Sequence, residues 1–258
     1  MKAGTIFNLD GRVALVTGAS SGLGARFARV LAANGAAVVC VARRAERLEA
    51  LVAEIEAGGG RALAVGADVA DRVAMAAAFD AAEKAFGTVT VLVNNAGVGL
   101  SGKVIDQPEQ VWRDTMSVNL DAVYFNAQEA SRRMVAAGQP GAIINIASIL
   151  GFGVGKGLSA YAVSKAAVVQ LTKALAIELG RHNIRVNAIA PGYFVTEINA
   201  EYLAGKGAAM VKDIPLGHFG GEGDLDGPLL LLASQAGAFA HGATLVVDGG
   251  QMIGLRGS

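Results

Sequence analysis

The sequence predicts an α/β fold, a doubly wound parallel sheet in three α/β/α layers, forming a single domain over residues 1–258. Three observations carry this. Short β-branched runs alternate with longer Ala-rich segments along the whole chain, the signature of a parallel sheet with helices on both faces. Most runs are continuously apolar rather than strictly alternating, as expected of strands buried on both faces. No linker, repeat or low-complexity tract divides the chain.

Taken in order, the first run (12–17) leads into a helical segment over 24–34. A second run (37–41) precedes a helix over 44–57, and a third (62–66) a helix over 72–86. A fourth run (89–93) is followed by a long helical pattern over 109–137, a fifth (142–147) by 160–181, and a sixth (185–190) by a helix near 224–233. The last run is 244–247. Gly35, Gly58-Gly59-Gly60 and Gly87 stand just past helices, where a left-handed residue ends a helix without a Cβ penalty.

Composition narrows the function. Lys+Arg and Asp+Glu are equal at 22 each, so the chain lacks the positive excess a nucleic-acid binder needs. The single cysteine, Cys40, lies in an apolar run; it excludes an internal disulfide and a cysteine-cluster metal site. His182, His218 and His241 are scattered without ligand spacing, so no metal site is expected. The uncharged stretches 134–155 and 227–247 are broken by glycines and polar residues, so they are read as buried interior rather than membrane spans. The start of the chain shows no long apolar signal segment, and a cytoplasmic location is the expectation.

Thr17-Gly18-Ala19-Ser20-Ser21-Gly22-Leu23-Gly24 follows the first strand and opens the first helix. Glycine there lets the backbone turn sharply and approach a pyrophosphate, while free amides at the helix N-terminus face the anion. The spacing of Gly18, Gly22 and Gly24 resembles the short-chain dehydrogenase/reductase family. The resemblance continues through Asp68-Val69, Asn94-Asn95-Ala96-Gly97, Asn119, Ser148, Tyr161 with Lys165, and Pro191-Gly192 with Thr196, nearly the whole chain. It implies a Rossmann-like fold and a nicotinamide-dependent oxidoreductase of alcohols and ketones.

The second strand ends Val41-Ala42-Arg43-Arg44, without the carboxylate that would take the ribose 2′-hydroxyl of NAD. An uncharged Ala42 followed by Arg43 and Arg44 suits a 2′-phosphate, which a guanidinium clamps with two hydrogen bonds. NADP(H) is therefore the favoured cofactor, with NAD(H) as the alternative; Ser21 departs from the basic residue that NADP-preferring relatives often carry before the second glycine. The resemblance implies that Asp68 and Val69 border the adenine. Asn95, Ala96, Gly97 and Val118 lie along the middle of the cofactor, and Pro191, Gly192, Phe194 and Thr196 hold the nicotinamide.

Tyr161 and Lys165 stand four apart on a predicted helix, so their side chains share a face. A tyrosine with its ordinary pKa near ~10 needs about 4 kcal/mol of differential stabilisation to fall three units, and adjacent positive charge favours the phenolate. The family roles fit: Tyr161 as general acid/base, Lys165 lowering its pKa and holding the nicotinamide ribose, Ser148 orienting the carbonyl, Asn119 supporting a water relay. Leu150, Tyr193 and Tyr202 join Ser148 and Tyr161 as expected substrate contacts. Few charges face the expected pocket, which predicts a largely apolar ketone or secondary alcohol.

Two other readings stand. One is reduction of a 3-oxoacyl thioester on a carrier protein, for which Arg132 and Arg133 offer a basic pair, although Ile177 sits where such reductases often have arginine. The other is a non-catalytic dinucleotide-binding regulator, which would not need Asn119, Ser148, Tyr161 and Lys165 together. The resemblance also implies a homotetramer; the 160–181 helix, apolar or small around much of its circumference, is compatible with a second partner surface.

Overall fold

A computed structural model describes residues 3–195, 207 and 209–253. Among these residues seven strands form one parallel sheet: β1 (Val13–Thr17), β2 (Ala37–Ala42), β3 (Arg61–Gly66), β4 (Val91–Asn94), β5 (Gly141–Ile146), β6 (Ile184–Pro191) and β7 (Thr244–Val247). Their order across the sheet is β3-β2-β1-β4-β5-β6-β7. The chain runs outward from β1 to β3, then returns to β4 on the other side of β1, which opens a crevice beyond the ends of β1 and β4.

A short α1 (Ala3–Ile6) precedes β1. The connections carry α2 (Gly22–Ala33), α3 (Ala45–Ala57), α4 (Arg72–Phe86), α5 (Glu109–Met116), α6 (Ala122–Ala136), α7 (Ser159–Leu179) and α8 (Asp226–Ala233). Every residue of β1, β2 and β5 is buried. The reason is alternation into two cores. Ala14 and Val16 point to one face with Phe27 and Leu31 of α2, Leu48 of α3 and Leu229 of α8. Val13 and Leu15 point to the other with Phe79 of α4, Met134 of α6 and Leu175 of α7. Each fully buried large apolar side chain contributes about 2 kcal/mol, and with both faces covered the strands read as mainly apolar runs, with Thr17 in β1 and Asn145 in β5 as buried polar members.

The helix expected over 109–137 is interrupted. α5 and α6 are joined by a π-helical turn, Ser117–Asp121, that carries Asn119. Such a turn inserts one residue into an α-helix and often marks a functional position. The fourth strand begins at Val91 rather than 89, and the last helix at Asp226 rather than 224. Gly35 and Gly87 close their helices at φ 101° and 100°, which no side-chain-bearing residue adopts cheaply. Cys40 is fully buried, and burial pushes its thiol up to about 12, which keeps it inert. Among the described residues no helix is long and apolar enough to cross a membrane.

Candidate active site

The crevice is built first from backbone. Gly18 has φ 68°, and a Cβ there would lie 2.9 Å from Ala96 Cα and from Asn95 Nδ2. A Cβ on Gly24 would run into the carbonyl oxygen of Gly18 and Asn95 Nδ2. The loop after β1 therefore lies directly against the loop after β4. Thr17 fastens the two: its Oγ1 accepts the amides of Asn95 (3.0 Å) and Ala96 (3.1 Å), while Asn95 Nδ2 donates to the Thr17 carbonyl at 2.9 Å. Gly22 opens α2 at φ 53°, with Ser21 as the extended N-cap residue. Ser21 makes no side-chain cap bond, and Ser20, Ser21 and Leu23 are all partly buried.

Arg44 reaches back over this loop. Its Nε and Nη2 donate to Ser20 Oγ at 3.1 and 2.9 Å, and Nη2 donates to Ser21 Oγ at 2.7 Å. Arg43 is exposed beside it, and Ala42 is buried at the end of β2. Further along the same rim, Val69 is buried, and exposed Asp68 accepts the Ala70 amide at 3.0 Å.

The polar groups lie past the ends of β4 and β5. Asn119, fully buried, is bracketed by Val98: Oδ1 accepts the Val98 amide at 2.8 Å and Nδ2 donates to the Val98 carbonyl at 3.0 Å. Asn119 Nδ2 also donates to Ser164 Oγ at 3.1 Å, and Ser164 Oγ donates to the Tyr161 carbonyl at 2.7 Å. The π-turn and the first turn of α7 are thus tied together by Ser164, a residue the sequence reading did not single out. Its signal was available: a hydroxyl one residue before Lys165 on the inward face of the helix, buried beside Ala162 and Val168.

Lys165 is only 4% exposed, and its Nζ donates to the Ile146 carbonyl at 2.8 Å, 5.7 Å from the centre of the Tyr161 ring. Burial draws the ammonium down to about 8. Gly97 sits between Lys165 and Asn119; a Cβ there would lie 3.3 Å from Asn119 Oδ1 and 3.7 Å from Lys165 Nζ. Val118 is partly buried in the same π-turn. Ser148 follows β5, 8% exposed, with Oγ accepting the amide of partly buried Leu150 at 3.1 Å.

Tyr161 is held above the ordinary tyrosine range. Burial is the main cause, the hydrogen bond with Ser148 opposes it, and Tyr193 adds to the rise. The depression expected from Lys165 is not among the influences on Tyr161 in this arrangement, in which Nζ donates to the Ile146 carbonyl.

On the other side of the cleft, Pro191 ends β6 and Gly192 packs on Asp248. A pocket of about 290 Å³ lies there, lined by Tyr193, Phe194, Ile214, Leu216, Val247 and the polar His218, Asp224 and Asp248 among others. Of the expected substrate contacts, Tyr193 lines it, whereas Ser148, Leu150 and Tyr161 are not among its lining residues. Thr196 and Tyr202 lie outside the described residues. Arg133, considered for an acidic partner, is instead committed to Asp80, Glu83 and Glu129 at 2.8, 2.8 and 2.7 Å. Among the described residues no group of three or more His, Cys, Asp or Glu could hold a metal.

Comparison with known proteins agrees with this architecture. The short chain dehydrogenase family profile matches residues 12–207. The chain is 41% identical over 251 residues to L-rhamnose 1-dehydrogenase (NAD(P)(+)) of Azotobacter vinelandii, covering 95% of this chain and 98% of that protein. It is 40% identical over 246 residues to 2-dehydro-3-deoxy-D-gluconate 5-dehydrogenase of Dickeya dadantii, covering 95% and 96%. Its fold is similar to that of a gluconate 5-dehydrogenase from Burkholderia cenocepacia solved with NADP and tartrate, with TM-score 0.93, 38% identity, and 98% and 100% of the two chains covered.

Proposed function

The chain belongs to the short-chain dehydrogenase/reductase family, and on that premise we propose that it interconverts a secondary alcohol and its ketone, with NADP(H) favoured and NAD(H) as the alternative carrier. The observation that carries this reading is the convergence of Ser148, Tyr161, Lys165 and Asn119 beside a glycine cradle at one end of the sheet.

The residues fit a dinucleotide. Gly18 and Gly24 clear space that a Cβ would fill, and the N-terminus of α2 presents amides to a pyrophosphate. Arg44, steadied by Ser20 and Ser21, offers a guanidinium to a 2′-phosphate. Asp68, Val69, Asn95, Ala96, Gly97 and Val118 would line its course, with Pro191, Gly192, Phe194 and Thr196 at the nicotinamide. When bound, the nicotinamide supplies or accepts the hydride.

Tyr161 would give its proton to the substrate oxygen during reduction and take it back during oxidation. A phenol held up by burial is a proton donor at neutral pH, so the oxidative direction needs added positive charge nearby. Lys165, whose pKa of about 8 leaves it mostly protonated at pH 7, would supply that charge one helical turn from Tyr161. Ser148 would donate to the substrate oxygen as charge builds there. Asn119 is a positioning residue, since its amide is committed to Val98 and Ser164.

The substrate class we infer is hydroxylated: a sugar, sugar acid or polyol. The names of the relatives support this over the apolar ketone expected from sequence. Leu150 and Tyr202 remain proposed substrate contacts. The carrier-protein reading loses support because Arg133 is spent on three carboxylates. The assembly we infer is a homotetramer. Trp112 on α5, Tyr124 on α6 and Ile177 (86% exposed) on α7 are exposed apolar side chains, as are Phe239 before β7 and Val246 within it, and each is available to a partner subunit; sedimentation as a stable monomer would exclude it.

The decisive test is Tyr161→Phe, assayed by absorbance of the reduced nicotinamide against a panel of polyols, sugar acids and simple ketones. The variant should fold and bind cofactor while kcat falls by about a thousandfold or more, the range for loss of a general acid with its alignment. Turnover within tenfold of the parent removes Tyr161 from the chemistry, and binding of cofactor without turnover by the parent favours a regulator.

A further inference from the structure

The turn after β7 touches three separate loops at the mouth of the cleft. Asp248 organises it: Oδ1 accepts the Gly250 amide at 2.9 Å and Oδ2 accepts the Met252 amide at 2.7 Å. Gly249 and Gly250, at φ 64° and 87°, make the bend between them possible.

The first contact is with the loop after β6. A Cβ on Gly192 would lie 2.7 Å from the Cβ of Asp248, so the two segments are in direct contact one residue before Tyr193. The second is with 214–216: Gly249 and Gly250 lie against Ile214 and Pro215, and the Leu216 amide donates to the Gly249 carbonyl at 3.2 Å. The third is made by Met252. A Cβ on Gly153 would lie 3.2 Å from Met252 Cε and 3.6 Å from Sδ, so the thioether covers the loop that follows Ser148. Met252 is partly buried, whereas Ile253 is 86% exposed, so the turn sends one apolar side chain into the structure and leaves the next outside.

The turn therefore joins the loop bearing Ser148 to the loop bearing Tyr193, and both residues act on the Tyr161 phenol, Ser148 through a hydrogen bond and Tyr193 through its charge. A methionine facing a glycine is an adjustable filler, because the thioether adopts many shapes and the glycine leaves the room it occupies. We propose that Met252 is a specificity-determining residue that limits the length of substrate the cleft accepts, and that Asp248 is the positioning residue holding it there. The proposal rests on the oxidoreductase reading above and deepens it by assigning the wall at the far end of the substrate.

Two measurements test it. In the first, kcat and KM are read with NADP for four-, five- and six-carbon polyols, and in parallel for 2-butanol and 2-octanol. Met252→Ala should raise the long-to-short ratio of kcat/KM by about tenfold, mainly through KM, since pocket methylenes discriminate on that scale. Met252→Phe should lower the ratio, and Asp248→Asn, which loses one of the two acceptors, should move it as Met252→Ala does. Ratios unmoved in both Met252 variants overturn the proposal while leaving the proposed function standing; turnover by the parent of none of these alcohols, nor of any sugar or sugar acid, sinks both. In the second, which needs no turnover, hydrogen exchange is compared between the parent and Asp248→Asn. Faster exchange across 149–158 as well as 248–253 supports the wall, and unchanged exchange at 149–158 shows that Asp248 does not hold Met252 against it.

Discussion

The two ends of the cleft are walled by different materials. At the cradle, the atoms pressed against glycine are largely main chain: Ala96 Cα beside Gly18, and the Gly18 carbonyl beside Gly24. At the far end they are mostly side chains: Phe194 against Gly220, Ile214 against Gly249, Pro215 against Gly250, Met252 against Gly153. Main chain cannot be exchanged by substitution, but side chains can. A cradle built this way keeps one shape for one ligand, whereas the opposite wall can be recut residue by residue without disturbing the sheet. That division fits relatives that share a fold yet carry different sugar and sugar-acid names.

The largest expected effect breaks the fixed end. In Gly24→Ala the new Cβ meets the Gly18 carbonyl and Asn95 Nδ2, neither of which is the free end of a flexible side chain. Overpacking of this kind costs about 3 kcal/mol, roughly a hundredfold in cofactor Kd if it falls on the bound state. Titration of NADP by calorimetry, with a thermal melt alongside, reads both effects. A Kd within threefold of the parent and an unchanged melt would show that the cradle yields as easily as the opposite wall.

The same contrast explains what could be read from residues alone. Strands were legible because burial on both faces writes an apolar run into all six positions of β2 and into most of β5, where Asn145 alone is polar. The cradle was legible because its glycines are forced by close backbone approach. Arg43 and Arg44 were both visible as candidates, but which one lies over the loop depends on the turn from β2 into α3, and that favours Arg44. Met252 was not legible, and of Ser164 only the hydroxyl next to Lys165 was. Their partners, Asn119 and Gly153, are far away in the chain, and only packing of the finished fold brings them together. The π-turn at Asn119 was hidden too, since one extra helical residue leaves a periodic pattern almost unchanged.

A second, smaller effect tests the point where the two ends meet. Lys165 is buried, and its pKa is drawn from 10.5 down to about 8. Between those values the unfolded chain holds a proton that the folded chain has released, so stability must rise as pH increases from 8 toward 10. The full span corresponds to about 3 kcal/mol at most. Tyr161, pushed up by burial, works in the opposite sense above pH 10, so the window closes there. Urea midpoints at pH 7.5 and 9.5 should therefore rise in the parent and stay level in Lys165→Met. An equal rise in both proteins would assign the slope to other groups and leave Lys165 outside the linkage.

The smallest effect sharpens the comparison, because it concerns the exchangeable part of the fixed end. Arg44 is exposed, and its three hydrogen bonds run to the hydroxyls of Ser20 and Ser21 rather than to the main chain. Removing it should leave the glycine geometry, and hence the pyrophosphate seat, intact. What disappears is a charged donor for a 2′-phosphate, worth about tenfold to a hundredfold for a charge-assisted pair, and toward the lower figure where water competes. Arg44→Ala should thus lower kcat/KM with NADP by that factor and leave kcat/KM with NAD nearly unchanged, so the ratio moves and the fold does not. A fall of equal size with both cofactors would mean that Arg44 braces the loop through Ser20 and Ser21 instead of choosing between cofactors. An unchanged ratio with unchanged values would pass the selection to Arg43, its exposed neighbour.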